Sequence, residues 1–316
     1  MSDHYLVTGA MGCIGAWTLY QLVQQGKHAI SFDLSDNRSR LDLLMSRAEQ
    51  EAITFVQGDL TDAAGLLKVF QEQSITHVVH LAALQVPFCR ANPVLGSQVN
   101  VTGHVNIFEA AKQTGISHVA YASSMAVYGP ASDYPPGLLA PDAPMLPRTL
   151  YGVYKMADEG IARIYWQDYK ISSTALRPYT VYGIARDQGV TSDPTKAMRA
   201  AARGEDYQIS FSGKMQFHLA SDVAKQFIEA SERPLGGAYG FNLGAPVKAV
   251  ADVAKMIMDV KPAVKISYAD TILPFAEGCD GTPLQQRFEH VYETPLAEGV
   301  RQTIEWFERL HAENRD

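Results

Sequence analysis

The sequence predicts an α/β fold with a doubly wound parallel sheet and a smaller C-terminal region. Short apolar runs alternate with segments of helical period through about residue 178. The runs lack the polar alternation of half-exposed strands, which indicates parallel strands covered on both faces. Beyond Tyr182 the alternation loosens. We therefore predict one unit at 1–178, completed by about 236–262, and a second, interleaved unit at 179–316, as one large domain or two.

Three glycines, Gly9, Gly12 and Gly15, follow the first apolar run. A tight turn after the strand needs backbone freedom at Gly9, and a pyrophosphate can approach the main chain only where Gly12 has no side chain. Gly15 lets the next helix lie close to the sheet, and that helix presents free N–H groups and the positive end of its dipole to phosphates. The pattern predicts a dinucleotide-binding site of the Rossmann type.

Asp33 closes the second apolar run. A carboxylate there accepts hydrogen bonds from the adenosine ribose hydroxyls and repels a 2′-phosphate, so NAD is favoured over NADP. Arg38 and Arg40 lie just beyond and could neutralise a 2′-phosphate, which keeps NADP as the alternative. Cys13 lies inside the glycine turn, and we interpret it as a small packing residue because no second cysteine is near.

Composition excludes several function classes. The chain has 316 residues, of which 47% are apolar and 19% charged, and its net charge is -7. Without a basic cluster, nucleic acid and anionic membrane are poor partners. Cys13, Cys89 and Cys279 match no metal or disulfide pattern, no apolar run could span a bilayer, and the first strand begins too early for a signal peptide. We expect a cytoplasmic protein.

The other elements follow from the same patterns. Strands are predicted at 53–56, 77–83, 118–124, 173–178 and 239–244, helices at 96–113 and 151–170, and a last helix with Thr294 as its cap and Pro295 as its first residue. Ligands of such sheets bind beyond the carboxyl ends of the strands. The candidate residues at those ends are Asp33, Asp59, Leu81, Ala82, Ala83, Ser123 and Ser124. The loop 129–150 has six prolines and is expected to form a lid or wall beside that edge.

Tyr151 and Lys155 are spaced i, i+4 on a predicted helix, so both project from one face. A free phenol, which titrates near pH 10, becomes a useful base only if a fixed cation stabilises its phenolate. Ser124, at the end of the fifth strand, supplies a hydroxyl that could hold a substrate alcohol while the phenolate takes its proton. Tyr154 lies on a less suitable face, and we interpret it as a packing residue.

These residues belong to a longer series of motifs that resembles the extended short-chain dehydrogenase/reductase family, in its branch of NAD-dependent epimerases and dehydratases. The motifs are VTGAMGCIG, GDL, HLAA, QVNVTG, YASSMAVYG and YGVYK, followed by RPYTVYG, LASDVA and YGFNLG. The resemblance covers nearly the whole chain. It implies an NAD-binding Rossmann domain, a mainly substrate-binding C-terminal region, and a homodimer formed through the helices at 96–113 and 151–170.

The resemblance also implies roles for individual residues. Tyr151 would be the acid/base, Lys155 would stabilise its phenolate and bind the nicotinamide ribose, and Ser124 would polarise the substrate oxygen. Ser123 would line the same pocket. Cofactor contacts are implied for Cys13 and Ile14 at the pyrophosphate, Asp59 and Leu60 at the adenine, Leu81, Ala82 and Ala83 at the ribose and phosphates, Asn100 near the cofactor, and Pro178 with Tyr179 near the nicotinamide.

Departures from the family pattern concern the substrate. Nucleotide-sugar members usually carry an arginine before LASDVA that grips the diphosphate, and Met215 stands there. A second arginine, usual in an RPGD-like segment, is replaced by LPFAEGCDG. Lys214 and Arg287 are possible substitutes. Met125 and Ala126 occupy the positions of the Asp-Glu pair of dehydratases, which argues against elimination chemistry.

The favoured hypothesis is an NAD-dependent dehydrogenase that oxidises a secondary alcohol of a small, non-nucleotide sugar, sugar acid or polyol. The alternative is an epimerase, in which bound NAD takes up a hydride and returns it to the other face of the substrate. A third hypothesis, from a different class, is a sensor or scaffold that binds NAD without turnover.

Overall fold

A computed structural model describes residues 3–315, and seven parallel strands form the central sheet of that part of the chain. In chain order the strands are β1 (His4–Thr8), β2 (His28–Asp33), β3 (Ile53–Gln57), β4 (His77–His80), β5 (His118–Ala122), β6 (Ser172–Arg177), β7 (Thr180–Tyr182), β8 (Tyr207–Ile209), β9 (Lys214–Leu219), β10 (Ala238–Asn242), β11 (Val247–Ala249) and β12 (Ile266–Tyr268). The sheet order is β3-β2-β1-β4-β5-β6-β10.

The order of the strands reverses at β1, which pairs with β2 on one side and with β4 on the other. Strands β2 and β3 are added on one side of β1, and β4, β5, β6 and β10 are then added on the other side. Such a switch point leaves a crevice beyond the carboxyl ends of the two central strands. The prediction of a doubly wound parallel sheet is confirmed, and so is the return of the segment 239–244 to it as β10.

Helices cover both faces of the sheet. They are α1 (Cys13–Gln24), α2 (Ser39–Asp42), α3 (Arg47–Gln50), α4 (Ala63–Glu72), α5 (Val86–Ala91), α6 (Pro93–Ser97), α7 (Gly103–Thr114), α8 (Leu150–Tyr169), α9 (Asp193–Ala202), α10 (Ala220–Glu232), α11 (Val250–Val260), α12 (Thr282–Arg287) and α13 (Leu296–Ala312). One face is buried by Leu22 of α1 and Phe227 of α10. The other is buried by Leu66 of α4, Phe108 of α7 and Tyr165 of α8.

A second apolar core lies in the C-terminal half. Met198 of α9, Phe217 of β9, Ile257 of α11 and Ile304 of α13 are buried in it. It is bordered by the small sheet β11-β9-β7 and the strand pair β12-β8. Helix α11 thus packs in the second core, whereas α10 covers the large sheet, so the two halves of the chain interleave. The boundaries of the predicted units stay a prediction.

Several predicted element boundaries differ from the structure. The fourth strand ends at His80. The predicted helix 96–113 is interrupted by a π-helical turn, Gln98–Thr102, which turns Asn100 inward; such turns insert one extra residue and are frequent at functional sites. Pro295, and not Thr294, is the residue that precedes the last helix. Thr294 instead donates its backbone N–H to Asp222.

The proline-rich loop 129–150 packs against a C-terminal segment. Leu139 pairs with Cys279 through the backbone, and both are buried beside Met125 and Tyr128. The loop does not line the large cavity described below. It packs beside Met125 and Tyr128, just after the carboxyl end of β5, and the expectation of a lid or wall beside that edge stays a prediction. Tyr134, Leu139, Ala143 and Met145 of the loop pack in this small core, whereas Leu138 and Leu146 are exposed. No helix within 3–315 has the length and apolar character needed to span a membrane.

Candidate active site

A cavity of about 780 Å³ lies at the carboxyl ends of the central strands. Its lining brings together nearly all the residues that the sequence predicts. Those that line it are Gly9, Gly12, Cys13, Ile14, Gly15, Asp33, Asp59, Leu60, Leu81, Ala82, Ala83, Ser123, Ser124, Tyr151, Lys155, Pro178 and Tyr179. Asn100 is the exception.

The glycine turn at one end of the cavity has the backbone that its sequence predicts. Gly9 has a φ of +65°, and a Cβ there would lie 2.6 Å from the Ala82 nitrogen. A Cβ on Gly15 would overlap the Gly9 carbonyl oxygen. Gly12 faces the cavity and precedes α1, which has no side-chain cap at its N-terminus. The first N–H groups of α1 therefore lack a side-chain cap at the cavity wall, where such groups can bind an anion.

A buried hydrogen-bond cluster fixes the segment that faces this turn. The Thr8 hydroxyl lies 2.7 Å from Nδ1 of His80 and accepts the backbone N–H groups of Leu81 and Ala82 at 3.2 and 3.3 Å. Burial lowers the pKa of His80 to about 3, so the imidazole is neutral at physiological pH. Thr8 and His80 were not predicted as site residues, and they act by holding the two lining residues.

Asp33 is held at the rim of the cavity by two backbone N–H groups. Met11 donates to Oδ2 and Ser35 to Oδ1, each at 2.9 Å. Each carboxylate oxygen keeps a second lone pair for a ribose hydroxyl. Of the two arginines that could favour NADP, Arg38 stacks on the Phe55 ring at 3.5 Å and does not line the cavity.

Arg40 links the glycine turn to a distant loop through contacts that the sequence did not predict. Its Nη1 donates to the Met11 carbonyl at 2.8 Å, and its Nη2 lies 2.8 Å from Asp187. The loop that carries Asp187 is also anchored on α1, because Trp17 donates to the Ile184 carbonyl at 2.9 Å. Arg40 and Asp187 are remote from each other in the chain, so their contact could not be predicted from the sequence.

Arg186 belongs to the same loop and lines the cavity. Its Nη2 lies 3.4 Å from the Thr191 hydroxyl, while its Nε is buried and has no hydrogen-bond partner among residues 3–315. Its charge acts on Cys13, at the N-terminus of α1. Burial nonetheless raises the pKa of the Cys13 thiol to about 11, so the thiol is protonated at neutral pH and suited to packing.

Asn100 supports the cavity wall from behind. It is buried, with 1% exposure, and its amide makes two hydrogen bonds with the Leu84 backbone, at 2.7 and 2.9 Å. Leu84 lines the cavity. Asn100 therefore positions the wall without itself facing the cavity.

The catalytic end depends on how α8 begins. Thr149 caps the helix by accepting the Gly152 N–H at 3.0 Å. A Cβ on Gly152 would overlap the Ala126 carbonyl oxygen, so glycine is what lets the first turn of α8 lie against the short turn Met125–Val127. Ser124 immediately precedes that turn. The Tyr151 and Ser124 side chains both line the cavity.

The two neighbouring serines have different partners. Ser124 Oγ accepts the Ala126 N–H at 3.1 Å, which leaves its hydrogen available to a ligand. Ser123 Oγ donates to Glu159 at 2.5 Å, and Glu159 forms a two-pronged ion pair with the buried Arg177. The Ser123 hydroxyl thus holds the end of β5.

Lys155 reaches the cavity from a buried position. Its side chain is 2% exposed, and Nζ donates to Oδ2 of Asp158 at 3.2 Å. Asp158 is fully buried. Tyr154, in contrast, donates to the Pro93 carbonyl at 2.9 Å and packs on α6. In the described part of the chain, no group of three or more His, Cys, Asp or Glu side chains could hold a metal ion.

Met215 and the two possible substitutes, Lys214 and Arg287, lie away from the cavity, whereas Phe275 of the segment LPFAEGCDG lines it. Met215 is buried and touches the Thr180 hydroxyl. Lys214 is exposed and pairs loosely with Glu277, at 3.9 Å. Arg287 stacks on the Tyr239 ring at 5.3 Å. None of these three departure residues lines the cavity.

Comparison with known proteins agrees with this geometry. The family model described as the NAD dependent epimerase/dehydratase family matches residues 5–244. The chain belongs to this family. It is an NAD-dependent enzyme of the extended short-chain dehydrogenase/reductase type, as its motifs predict.

Proteins that resemble the chain bear names or titles that refer to different substrates. The UDP-glucose 4-epimerase of Mycolicibacterium smegmatis is 29% identical, over 96% of this chain and 97% of the relative. The structure of MoeE5 in complex with UDP-glucuronic acid and NAD is 26% identical, with a TM-score of 0.82 over 97% of this chain and 99% of that one. The L-threonine dehydrogenase of Clostridium difficile has a TM-score of 0.87 over 98% of both chains at 19% identity, which is a likeness of fold.

Proposed function

We propose that the protein is a net dehydrogenase that oxidises a secondary alcohol of a small, non-nucleotide sugar, sugar acid or polyol with NAD. The observation that carries the proposal is the make-up of the cavity. It holds Ser124, Tyr151 and Lys155 together, while Lys214 and Arg287, the two cations that could replace the diphosphate arginines, lie outside it. A diphosphate would lose charge-assisted hydrogen bonds that contribute roughly 1.5 to 3 kcal/mol each.

The residues at the other end of the cavity fit a dinucleotide. The Gly12 backbone, which lines the cavity, and the uncapped N–H groups of α1 suit its pyrophosphate. Asp33 suits the adenosine ribose and disfavours a 2′-phosphate. Arg40 already pairs with Asp187, which supports NAD over NADP. When bound, NAD supplies the acceptor for the hydride that leaves the substrate carbon.

The chain's own residues carry the proton chemistry. Ser124 donates its free hydrogen to the substrate oxygen and holds the alcohol in place. Tyr151 takes the hydroxyl proton as the carbon loses its hydride. The Lys155 ammonium stabilises the phenolate, and the first turn of α8 adds the positive end of the helix dipole beside it.

The second candidate function is a sugar epimerase with recycled NAD. The similarity to the UDP-glucose 4-epimerase of Mycolicibacterium smegmatis over almost the full length of both chains favours it. The same three residues would serve in that reaction, but no NADH would accumulate. A sensor that binds NAD without turnover has less support, because Tyr151 and Lys155 are both present and both line the cavity.

A substrate panel separates these functions. Purified protein is given NAD or NADP and a set of free sugars, sugar acids, polyols and UDP-sugars, and absorbance in the nicotinamide band is followed. We expect NADH to form with a non-nucleotide alcohol, and binding of NAD measured by calorimetry to exceed that of NADP. Conversion of a UDP-sugar to its epimer without NADH would establish the second function instead.

We also infer a homodimer through the helices at 96–113 and 151–170, the second of which corresponds to α8, together with the neighbouring α6. Val94 and Leu95 on α6, and Leu150, Val153 and Ile164 on α8, are exposed apolar side chains. Exposed apolar patches of this kind mark interaction surfaces. Sedimentation should give twice the mass of one chain, and the mass of a single chain at micromolar concentration would contradict the inference.

A further inference from the structure

The segment LPFAEGCDG, which stands where nucleotide-sugar members carry an arginine, contributes an aromatic ring to the cavity. Phe275 of this segment is half-buried and lines the cavity from the connection between β12 and α12. Its ring meets that of Tyr179 at 83°, with the ring centroids 6.3 Å apart. Such an edge-to-face arrangement is favourable for two aromatic rings. Tyr179 also lines the cavity, so Phe275 and Tyr179 together form an aromatic wall.

The backbone just after Phe275 is held by two other elements. The Tyr179 hydroxyl donates to the Ala276 carbonyl at 2.6 Å. Gln216 of β9 is 1% exposed and makes two hydrogen bonds with the Cys279 backbone, at 2.8 and 2.9 Å. A buried amide that binds a backbone N–H and a backbone carbonyl together fixes the path of that chain segment. The aromatic wall is therefore presented to the cavity from a fixed backbone.

A backbone hydrogen bond places the aromatic wall at the catalytic end. Tyr179 follows Pro178, whose carbonyl accepts the Met125 N–H at 3.2 Å. Met125 in turn follows Ser124, and all four residues line the cavity. These two stretches come directly after β6 and β5, which are neighbours in the central sheet. The aromatic wall is thus close to the serine that holds the substrate oxygen in the proposed reaction.

Most of the charged side chains that line the cavity lie at its cofactor end. The charged lining residues are Asp33, Arg40, Asp59, Lys155, Arg186 and Asp187. Asp33 ends β2 and Asp59 follows β3, and β2 is three strands away from β5. At the usual strand spacing this separation is roughly 14 Å. Arg40 and Asp187 pair beside the glycine turn, and Arg186 acts on the same turn.

Lys155 is the charged lining residue that remains at the catalytic end. Its ammonium is already paired with the buried Asp158. The neighbouring lining residues Met125 and Ala126 are apolar, as are the rings of the aromatic wall. A carboxylate or a phosphate placed here would lose water without gaining a free cation, which is unfavourable.

We propose that Phe275 is a specificity-determining residue whose ring packs on a C–H face of an uncharged sugar or polyol and disfavours a substrate that carries a carboxylate or diphosphate there. The inference rests on the proposed function and narrows its substrate class to the uncharged members. The face of an aromatic ring is the negative part of its quadrupole, so it attracts C–H hydrogens and repels an anion. Contact with the ring also removes apolar C–H surface from water.

Matched pairs of compounds test this preference. Each pair is a neutral sugar and the acid in which its terminal CH2OH group is a carboxylate, such as glucose and glucuronate, and UDP-glucose represents the diphosphates. Binding to the NADH-loaded protein is measured by calorimetry, and turnover with NAD is measured by NADH formation. For the sugar that binds best, we expect the wild type to bind the neutral member at least about tenfold more tightly than the acid.

Three variants test Phe275 itself. Phe275→Ala should raise KM for the neutral member about tenfold, the scale of one lost aromatic contact, while kcat and NAD affinity stay within about twofold. Phe275→Leu keeps apolar volume and replaces the alanine variant if that protein does not fold. Phe275→Arg supplies a guanidinium and should reverse the preference in favour of the acid. Ile272→Ala is the matched control, because Ile272 is 74% exposed on the same segment and does not line the cavity.

The results that would overturn the inference differ from those that would overturn the proposed function. Equal binding of the neutral and acid members by the wild type, or binding of neither, would overturn the role of Phe275. Equal losses of affinity in Phe275→Ala and Ile272→Ala, or no gain of acid binding in Phe275→Arg, would do the same. The predicted binding preferences without any NADH formation would instead count against the proposed dehydrogenase and leave the role of Phe275 in place.

Discussion

The two ends of the cavity are built by different means. At the cofactor end, a short continuous stretch supplies a glycine turn and the start of α1, and the groups that face the ligand are backbone N–H groups. At the catalytic end, Ser124 and Tyr151 come from separate elements, and these elements pack together because Gly152 lets two backbones lie against each other. The cofactor end is therefore formed by residues that are neighbours in the sequence, whereas the catalytic end is formed by packing between separate elements.

The sharpest way to test this division is Tyr151→Phe. Loss of the phenolic hydroxyl removes the acid/base, so kcat should fall by about a thousandfold, within the usual range for such groups. The ring still packs, so NAD affinity should stay within about twofold of the wild-type value. Calorimetry with NAD and a turnover assay measure the two effects separately.

Tyr154→Phe is the matched control for that variant. Tyr154 is on the same helix but donates to the Pro93 carbonyl. Its loss should leave kcat nearly unchanged. A comparable fall in kcat for both variants would mean that Tyr151 acts through the fold and not through chemistry.

The difference between the two ends explains which residues the sequence could predict. Gly9, Gly12 and Gly15 form one motif, and their roles follow from backbone conformation alone. The Arg40–Asp187 contact joins residues that are remote in the chain, and no local pattern announces such a pair. Asp33 and the glycine turn could therefore be predicted from the sequence, whereas the contacts of Arg40 with Met11 and Asp187 could not.

The errors in the predicted elements have a similar origin. Apolar periodicity cannot show the π-helical turn that interrupts the helix 96–113, because the turn exists to bury Asn100 against the Leu84 backbone. The prolines of the loop 129–150 exclude a helix correctly, but they do not say what the loop packs against. Its partner, at Ala276 and Cys279, is more than a hundred residues away.

Gly152→Ala tests the packing of the catalytic end. The added methyl group would overlap the Ala126 carbonyl oxygen, which cannot move as a side chain can. We expect a loss of about 3 kcal/mol in the free energy of unfolding, at the upper end of overpacking effects, with lower turnover because Ser124 and Tyr151 separate. Gly160→Ala, on the same helix, meets no atom within 4 Å and should instead gain about 0.5 to 1 kcal/mol. Equal effects of the two changes would remove the special role of Gly152.

The pH dependence of stability tests the buried pair of Lys155 and Asp158 at the catalytic end. Burial raises the pKa of Asp158 from 3.8 to about 7. Between about pH 4 and pH 7 the folded protein keeps a proton that the unfolded chain releases, so wild-type stability falls as the pH rises through this window. Asp158→Asn cannot ionise, so its melting temperature should match that of wild type at pH 4 and exceed it by several degrees at pH 8. A constant difference across the window would show that Asp158 is not a buried, titrating acid.

Arg186→Gln is expected to have the smallest effect, and only at the cofactor end. Arg186 lines the cavity near Cys13, so it should contact the phosphates of the cofactor. Its loss should weaken NAD binding about tenfold, the scale of one charge-assisted hydrogen bond, and leave adenosine binding unchanged. Arg90→Gln, which changes an exposed arginine on α5, is the control. Equal losses for NAD and adenosine would place Arg186 away from the phosphates.

The measurement that tests the central claim most directly is the ratio of NADH formed to substrate consumed, taken with the best alcohol from the panel and excess NAD. A net dehydrogenase predicts one NADH for each substrate molecule oxidised, and none when Tyr151→Phe replaces the wild type. Consumption of substrate with no NADH, and appearance of its epimer, would contradict the account.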